Sequence, residues 1–547
     1  MSGNVYGKPP AYDNGQQYYS GTQYQGQNQP YQGQQFYPQQ KPSAVPQQYQ
    51  FHQNPHYNLN HDGPGAPIGN SFEEKFPTEN NNKRKFNDWP FTILFLLTVG
   101  AFTALAVITL RAWSDNSSQV GSGVYDGDDT GTLNANSAIL LVVTVGSALV
   151  LSVVGFILAS MYPKMFIYLG MIVNVVTGLA AAIIYFSMRY WSGGIVFLIF
   201  TLLVAWCFYS MRSRIPLSVA IMKTVMSVIR RYPQTWIVSL IGTIVAGCFS
   251  VIFSAVVVAT YIKYDPKPGN GGCDSAGGSC SQGKLVGMLI LVFFCGYYIS
   301  EVIRNVIHCT VAGIYGCWYY FGKSDQGMPR WPAFGSLKRS LTTSFGSICF
   351  GSLIVSLIQV LRQIINAFRY GAISGIGDNE CVGCLFIIVD MIVGMFEWMV
   401  RYFNHYAYAF IALYGKPYLR AARETWHLIR EKGLDALVND NLINLALGFY
   451  TLFVGYISAL ISYLYLRYTK PAYNDDGNFN VPLMAFSLLI ALQIVNIATE
   501  TIRSGTATFF VALGNDPEVF HVSHPQRFDE IFRAYPDVLQ KLNYQHV

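Results

Sequence analysis

The chain has 547 residues, of which 52% are hydrophobic, 15% aromatic and only 12% charged. Soluble domains carry roughly twice that share of charge, so an ordinary soluble globular protein is excluded. The net charge of +6 is modest, and the lysines and arginines fall in short loops, which fits membrane topology and speaks against a nucleic-acid surface.

Residues 1–85 are rich in Gln, Tyr, Pro, Gly and Asn, as in QYYSGTQYQGQNQPYQGQQFYPQQ. Such a segment cannot bury enough apolar surface to fold, and we expect a disordered cytosolic tail. Within it Pro9, Pro10, Ala11 and Tyr12 form a PPxY motif. It reads either as a polyproline II ligand for a WW-domain ubiquitin ligase or as a chance match in a Pro- and Tyr-rich tail. The polar start contains no cleavable signal, so the first spanning helix must serve for targeting.

Beyond Trp89 the chain is mostly apolar. Runs near 20 apolar residues place spanning helices at about 90–111, 138–159, 166–188, 193–211, 236–261, 285–315, 341–361, 381–400, 441–466 and 482–511. The expected fold is therefore all-α: a polytopic membrane protein of about ten transmembrane helices, with counts of nine to eleven all open. Residues 86–515 would form the transmembrane domain, and 516–547 a cytosolic tail with a short helical cap. The run from Leu285 to Phe321 covers roughly 55 Å as a helix, too long for one crossing. It must tilt, kink near Gly296, Gly313 or Gly316, or project from the membrane. Phe403 to Tyr414 is too short to cross and reads as re-entrant or interfacial. Pro417 to Leu437 reads as an amphipathic helix, either in the inner interface or packed on neighbouring loops.

The Lys/Arg balance of the loops sets orientation. Lys83, Arg84 and Lys85 precede the first helix, and basic clusters follow the fourth, sixth and eighth. Both termini are then cytosolic. The sequon Asn116-Ser117-Ser118 falls in an outside loop, as a glycosylation site should. Cys273 and Cys280, in a polar Gly-rich outside loop, could form a local disulfide. Cys381 and Cys384 make a CxxC, for which a structural role is the simpler reading. The cysteines inside apolar runs read as small buried hydrophobes.

Three helices carry polar stripes. On the sixth, Tyr297, Glu301, Arg304, Asn305 and His308 share an arc of about 100°. On the eighth, Asp390, Glu397 and Arg401 share about 40°, with Gly394 and Asn404 nearby. On the tenth, Gln493, Asn496, Glu500 and Arg503 share about 80°. For any one residue, pairing between helices is the simpler reading. Three stripes together point to a lined, water-accessible interior, because charge in hydrocarbon is expensive. Aromatics crowd the same regions. Most fit interfacial belts, including Trp318, Tyr319 and Tyr320, while Tyr297 and Trp398 are candidate walls for an organic cation. His308 and His405 are isolated in their segments and read as hydrogen-bonded core residues. No metal site, cofactor or enzyme signature is expected: HExxH, GxSxG, Walker and dinucleotide motifs are all missing.

The stretches FFCGYYISEVIRNVIHCTVAGIYGCWYYFGKSDQGMPRWPAFGSLKRSLTTSFGSICFGSLI and HYAYAFIALYGKPYLRAARETWHLIREKGLDALVNDNLIN closely resemble the choline transporter-like family (solute carrier family 44), in its fungal, pH-nine-sensitive branch. The resemblance runs from about Gly65 to the C-terminus. It implies a multi-pass plasma-membrane protein with both ends inside, moving choline or a related amine. The candidate pathway residues are then Glu301, Arg304, Asp390, Glu397, Glu500, Arg503, Tyr297 and Trp398, with membrane lipids and a small organic cation as partners. The competing class is a non-transporting membrane scaffold whose PPxY tail is the active part.

Overall fold

The computed structural model describes residues 86–116, 135–187, 189–264, 281–323, 327–375, 380–431, 442–470, 474 and 480–533. Pro9, Pro10, Tyr12, Cys273 and Cys280 lie outside these residues, as do the side chains of Asn116, Cys381 and Cys384. The described chain is helical without strands. Its long helices are α1 (Trp89–Asn116), α2 (Ala135–Met161), α3 (Pro163–Ser187), α4 (Trp191–Met211), α6 (Gln234–Tyr264), α7 (Gln282–Phe321), α9 (Phe345–Gly375), α10 (Glu380–Tyr414), α12 (Ile443–Thr469) and α13 (Asn480–Asn515). Short amphipathic helices sit between or after them: α5 (Ile215–Arg231), α8 (Pro332–Leu341), α11 (Tyr418–Glu431), α14 (Pro517–Ser523) and α15 (Pro525–Phe532). Among the described residues, nine helical spans are long and apolar enough to cross a membrane. The remaining long helix, α10, carries Asp390, Glu397 and Arg401.

The exposed surface is what a hydrocarbon solvent selects. On α4 the buried residues are Gly194 and Thr201, while Phe200 and Trp206 stand exposed. An apolar helix that leaves its bulk outside is stable only against lipid. Inside, hydroxyls replace grease: Thr144 bonds Ser462 at 2.9 Å and Ser487 at 3.1 Å, joining α2, α12 and α13. Small residues and hydroxyl bridges of this kind let membrane helices approach closely.

The long run from Leu285 stays helical throughout. It forms one helix of 40 residues, roughly 60 Å, about twice the thickness of a bilayer core. From Ile307 onward every residue of α7 is buried, so this half is sheathed in protein. Phe403 to Tyr414 is not re-entrant; it continues α10 without a break. No Gly or Pro interrupts that stretch, and the charge of Arg401 is met by partners on two helices. Residues 404 and 406–411 of α10, and Thr499 to Gly514 of α13 except the half-buried Arg503, are buried likewise.

The buried ends of α7, α10 and α13 are pinned together by tyrosines. The Tyr320 hydroxyl donates to Asp516 Oδ2 at 2.6 Å and lies 2.9 Å from the Tyr414 hydroxyl. Tyr319 donates to the Asp516 carbonyl at 2.8 Å, and Asn515 Nδ2 to Tyr414 at 3.2 Å. Trp318, Tyr319 and Tyr320 are therefore core residues rather than an interfacial belt; the two tyrosine hydroxyls find protein partners instead of headgroups. We call this end, where the Lys- and Arg-rich loops gather, the basic end.

Proline starts most of the short helices at the basic end: Pro216, Pro332, Pro517 and Pro525 all occupy the first turn, where a missing N–H costs nothing. On α11, Tyr418, Ala421, Thr425 and Leu428 are buried, while Leu419 and Trp426 remain exposed. One flank thus packs on protein and another is left for a membrane boundary. The start of α1 is clipped here too. Asp88, at φ 52°, accepts from Ser347 Oγ at 2.7 Å and from the Tyr418 backbone N–H at 2.9 Å. Asn87 Nδ2 donates to the Gly415 carbonyl at 2.7 Å.

After Asn515, α14 and α15 form a helical cap over residues 517–532. His524 packs against the rings of Trp318 (5.0 Å) and Phe520 (5.5 Å). Burial, and then the charges of Lys323 and Arg527, push its pKa from 6.5 down to about 4. An undocked cap would take up a proton near the ordinary value, whereas the docked one stays neutral. Docking is therefore indifferent to pH above 6.5 and weakens as pH falls from 6.5 toward about 4. Limited proteolysis of the purified protein should cut 517–532 faster at about pH 5 than at about pH 7.5. In His524→Gln the difference should vanish; a cap equally resistant at both values in the wild type would refute this.

Candidate functional site

The stripes meet. On α10, Asp390, Glu397, Arg401 and Asn404 recur at near-whole turns and so share one face. This face opposes α9 and α7, and the charges join into a ladder of alternating sign. Arg362 of α9 grips Asp390 with two bonds, Nε to Oδ1 at 3.0 Å and Nη2 to Oδ2 at 3.2 Å. Its Nη1 donates to Glu397 Oε2 at 2.9 Å. Arg401 Nε donates to Glu397 Oε1 at 3.0 Å, and its Nη1 to Glu301 Oε1 at 2.7 Å. Arg304 Nη2 lies 2.8 Å from Glu301 Oε2, off the angle of a good hydrogen bond. The order is Asp390, Arg362, Glu397, Arg401, Glu301, Arg304. Glu397 and Glu301 are the most buried members, at 11% and 7% side-chain exposure, while Arg401 and Arg304 are each 26% exposed and Arg362 35%.

A second cluster adjoins the foot of the ladder. Glu500 Oε1 lies 3.0 Å from His308 Nδ1 and 3.6 Å from His405 Nδ1. Ser504 Oγ contacts the same His308 nitrogen at 2.7 Å, and His405 Nε2 donates to the Arg503 carbonyl at 3.1 Å. The two imidazole rings are 4.5 Å apart. Donor atoms of His308, His405 and Glu500 lie within 4.8 Å of one another, a set that could ligate a divalent metal. The charges of Arg304 and Arg503 reach Glu500, however, and they oppose a further cation there. Hydrogen-bonded core histidines remain the better description, although not isolated ones.

The structure thus unites Glu301, Arg304, Asp390 and Glu397 in one network, and sets Glu500 and Arg503 beside it. Tyr297 joins the ladder's flank, with Gln363 as a hydrogen-bond partner and Glu397 nearby. Trp398 does not take part. It is 66% exposed and stacks on Tyr402 at 5.8 Å, because one residue beyond Glu397 the helix has turned about 100° toward the lipid side. Arg362 was missed because the apolar run of its helix ends just before it. The pairing of the two histidines was missed because they lie on different helices.

Each of the ladder's acids is held by arginine, and two cavities, about 580 and 490 Å³, lie at the junction of α2, α3 and α5. The described residues display a partly buried, charge-balanced seam across α7, α9 and α10, with four carboxylates and four guanidinium groups in or beside it. Burying so many ions is costly, and membrane proteins keep them where solutes pass or helices must part and rejoin.

A frame of many long apolar helices defines a multi-pass membrane protein, and its family places it in the transporter class. The chain belongs to the family described as "Plasma-membrane choline transporter", whose model matches residues 195–518. That span contains the whole ladder and the histidine cluster. The chain is similar to the fungal proteins named PNS1. It is 71% identical to that of Eremothecium gossypii over 498 residues, covering 91% of this chain and 90% of the relative. It is 61% identical to that of Kluyveromyces lactis over 545 residues, covering 98% of each. With the Saccharomyces cerevisiae protein the identity is 60% over 499 residues, covering 91% and 92%.

Proposed function

We propose that this protein moves a small organic cation, choline or a related amine, across the plasma membrane by alternating access, with both termini in the cytosol. Family membership supports the class of solute, and the ladder supports the mechanism. A quaternary ammonium group has no N–H to donate. It must be held by charge and by aromatic faces. Glu397 offers charge, and Tyr297 and Phe293, with ring centroids 5.9 Å apart, offer aromatic surface nearby.

A cation arriving beside Glu397 must take that carboxylate from Arg362 or Arg401. Taking it from Arg362 breaks a tie between α10 and α9, so substrate binding and release of α10 from α9 are then the same event, which gives the ligand a differential affinity for the two states. Asp390 and Arg362 are the more open end of the ladder, and Glu301 is its most buried acid.

The competing reading, a non-transporting scaffold acting through its Pro9–Tyr12 motif, is favoured by the complete pairing of the ladder acids. Uptake of labelled choline into vesicles holding the purified protein separates the two. Uptake is expected in the wild type. It should fall at least about tenfold in a folded Glu301→Gln variant, since the shared charge partner of Arg401 and Arg304 is lost. Absence of uptake of any amine by the wild type would favour the scaffold.

A further inference from the structure

We propose that the basic hollow where α2 turns into α3, against α5 and α15, is a binding site for the phosphate headgroup of an anionic phospholipid. This goes beyond the transport reading and does not depend on it.

The hollow, about 580 Å³, is lined by Lys223, Ser227, Arg230, Arg231 and Arg527, with Met161 and Pro163 at its rim. Lys223, Ser227, Arg230 and Arg231 share one face of α5 through their spacing. The other face of α5, including Ile221, Met222, Val225 and Ile229, is buried, which fixes the cationic side outward. Arg527 reaches in from α15 and donates to Ser227 Oγ at 2.6 Å. Arg230 Nε donates to Ser160 Oγ at 3.0 Å. Each guanidinium carries five donors, so these serines orient the two arginines without exhausting them. The acid recorded against the cluster is Glu530, 3.7 Å from Lys223, with both side chains more than half exposed. Such a pair is weak. Four cations against one exposed acid leave a local excess of positive charge.

A second hollow of about 490 Å³ shares Met161, Pro163 and Lys223 with the first. It continues past Lys164 along Tyr162, Met165 and Tyr168, all three exposed. A basic chamber opening onto an apolar track at the ends of spanning helices has the two-part chemistry of a phospholipid, with phosphate in the chamber and acyl chain on the track. A free phosphate would use only the first part. Basic pockets at the membrane boundary on the Lys/Arg-rich side commonly serve acidic headgroups.

Binding of fluorescent phosphatidylserine to the full-length protein in nonionic detergent tests this. Saturable binding is expected, with phosphatidylcholine at least about tenfold weaker. Arg230→Gln with Arg231→Gln should weaken phosphatidylserine about thirtyfold. Arg231→Gln alone, at an exposed position whose loss leaves the fold intact, should weaken it about fivefold. Unchanged affinity in both variants would overturn the proposal, as would equal binding of phosphatidylcholine. Displacement of the lipid by millimolar inorganic phosphate would identify the hollow as a free-phosphate site and also overturn it.

Discussion

Replacing Arg401 by Gln should cost roughly 3–5 kcal/mol of folding stability, the range for breaking one side of a buried ion pair. Arg401 is the rung between Glu397 on its own helix and Glu301 on α7. Its loss leaves Glu301, the more buried acid, with Arg304 alone. A fall in the detergent thermal midpoint, or loss of the monodisperse peak in size-exclusion chromatography, would register the effect. The double change Arg401→Met, Glu397→Gln should recover most of that stability, because Asp390–Arg362 and Glu301–Arg304 stay paired and no charge is orphaned. Uptake then discriminates. A ladder serving only to hold helices together would leave the double variant functional, whereas a ladder handling substrate would leave it folded and inactive. A single Arg401→Gln as stable as the wild type would disprove the structural role.

Gly346→Ala is expected to cost about 2–3 kcal/mol, as overpacking of a close contact does. A Cβ at this position would meet the backbone carbonyl oxygens of Asn87 and Asp88, which cannot step aside like the end of a flexible side chain. The Asp88 clip to Ser347 and Tyr418 holds those carbonyls in place. Gly335→Ala is the matched control. It lies within α8 with no atom near its added carbon, and should gain a few tenths to about 1 kcal/mol through helix propensity. Thermal unfolding of both variants checks the pair. Equal effects at the two glycines would show that the α1–α9 contact is not tight.

The positions of all ten long helices were legible in the sequence because lipid imposes a composition rule on any crossing segment. The polar stripes were legible as well, since a helical period places Asp390, Glu397 and Arg401 on one face whatever surrounds them. Legibility stopped where an apolar run could be read as either lipid-facing or buried in protein. Phe403–Tyr414 and Trp318–Tyr320 look interfacial by composition, yet they form a protein core at the basic end. Partner choice was equally hidden. Nothing local to Arg362 announces that it spans Asp390 and Glu397, and nothing near His308 announces His405, because those contacts arise only when α7, α9, α10 and α13 come together.

Since α7 passes unbroken from one end to the other, it behaves as a lever. Turning a stiff rod of roughly 60 Å by about 5° sweeps its tip through about 5 Å. With Tyr320, Tyr414 and Asp516 fastened at one tip, any exchange of salt-bridge partners midway would be felt as a shift beneath the whole terminal cap. Mechanical linkage of this sort needs no relay of small side-chain moves, only continuous helices.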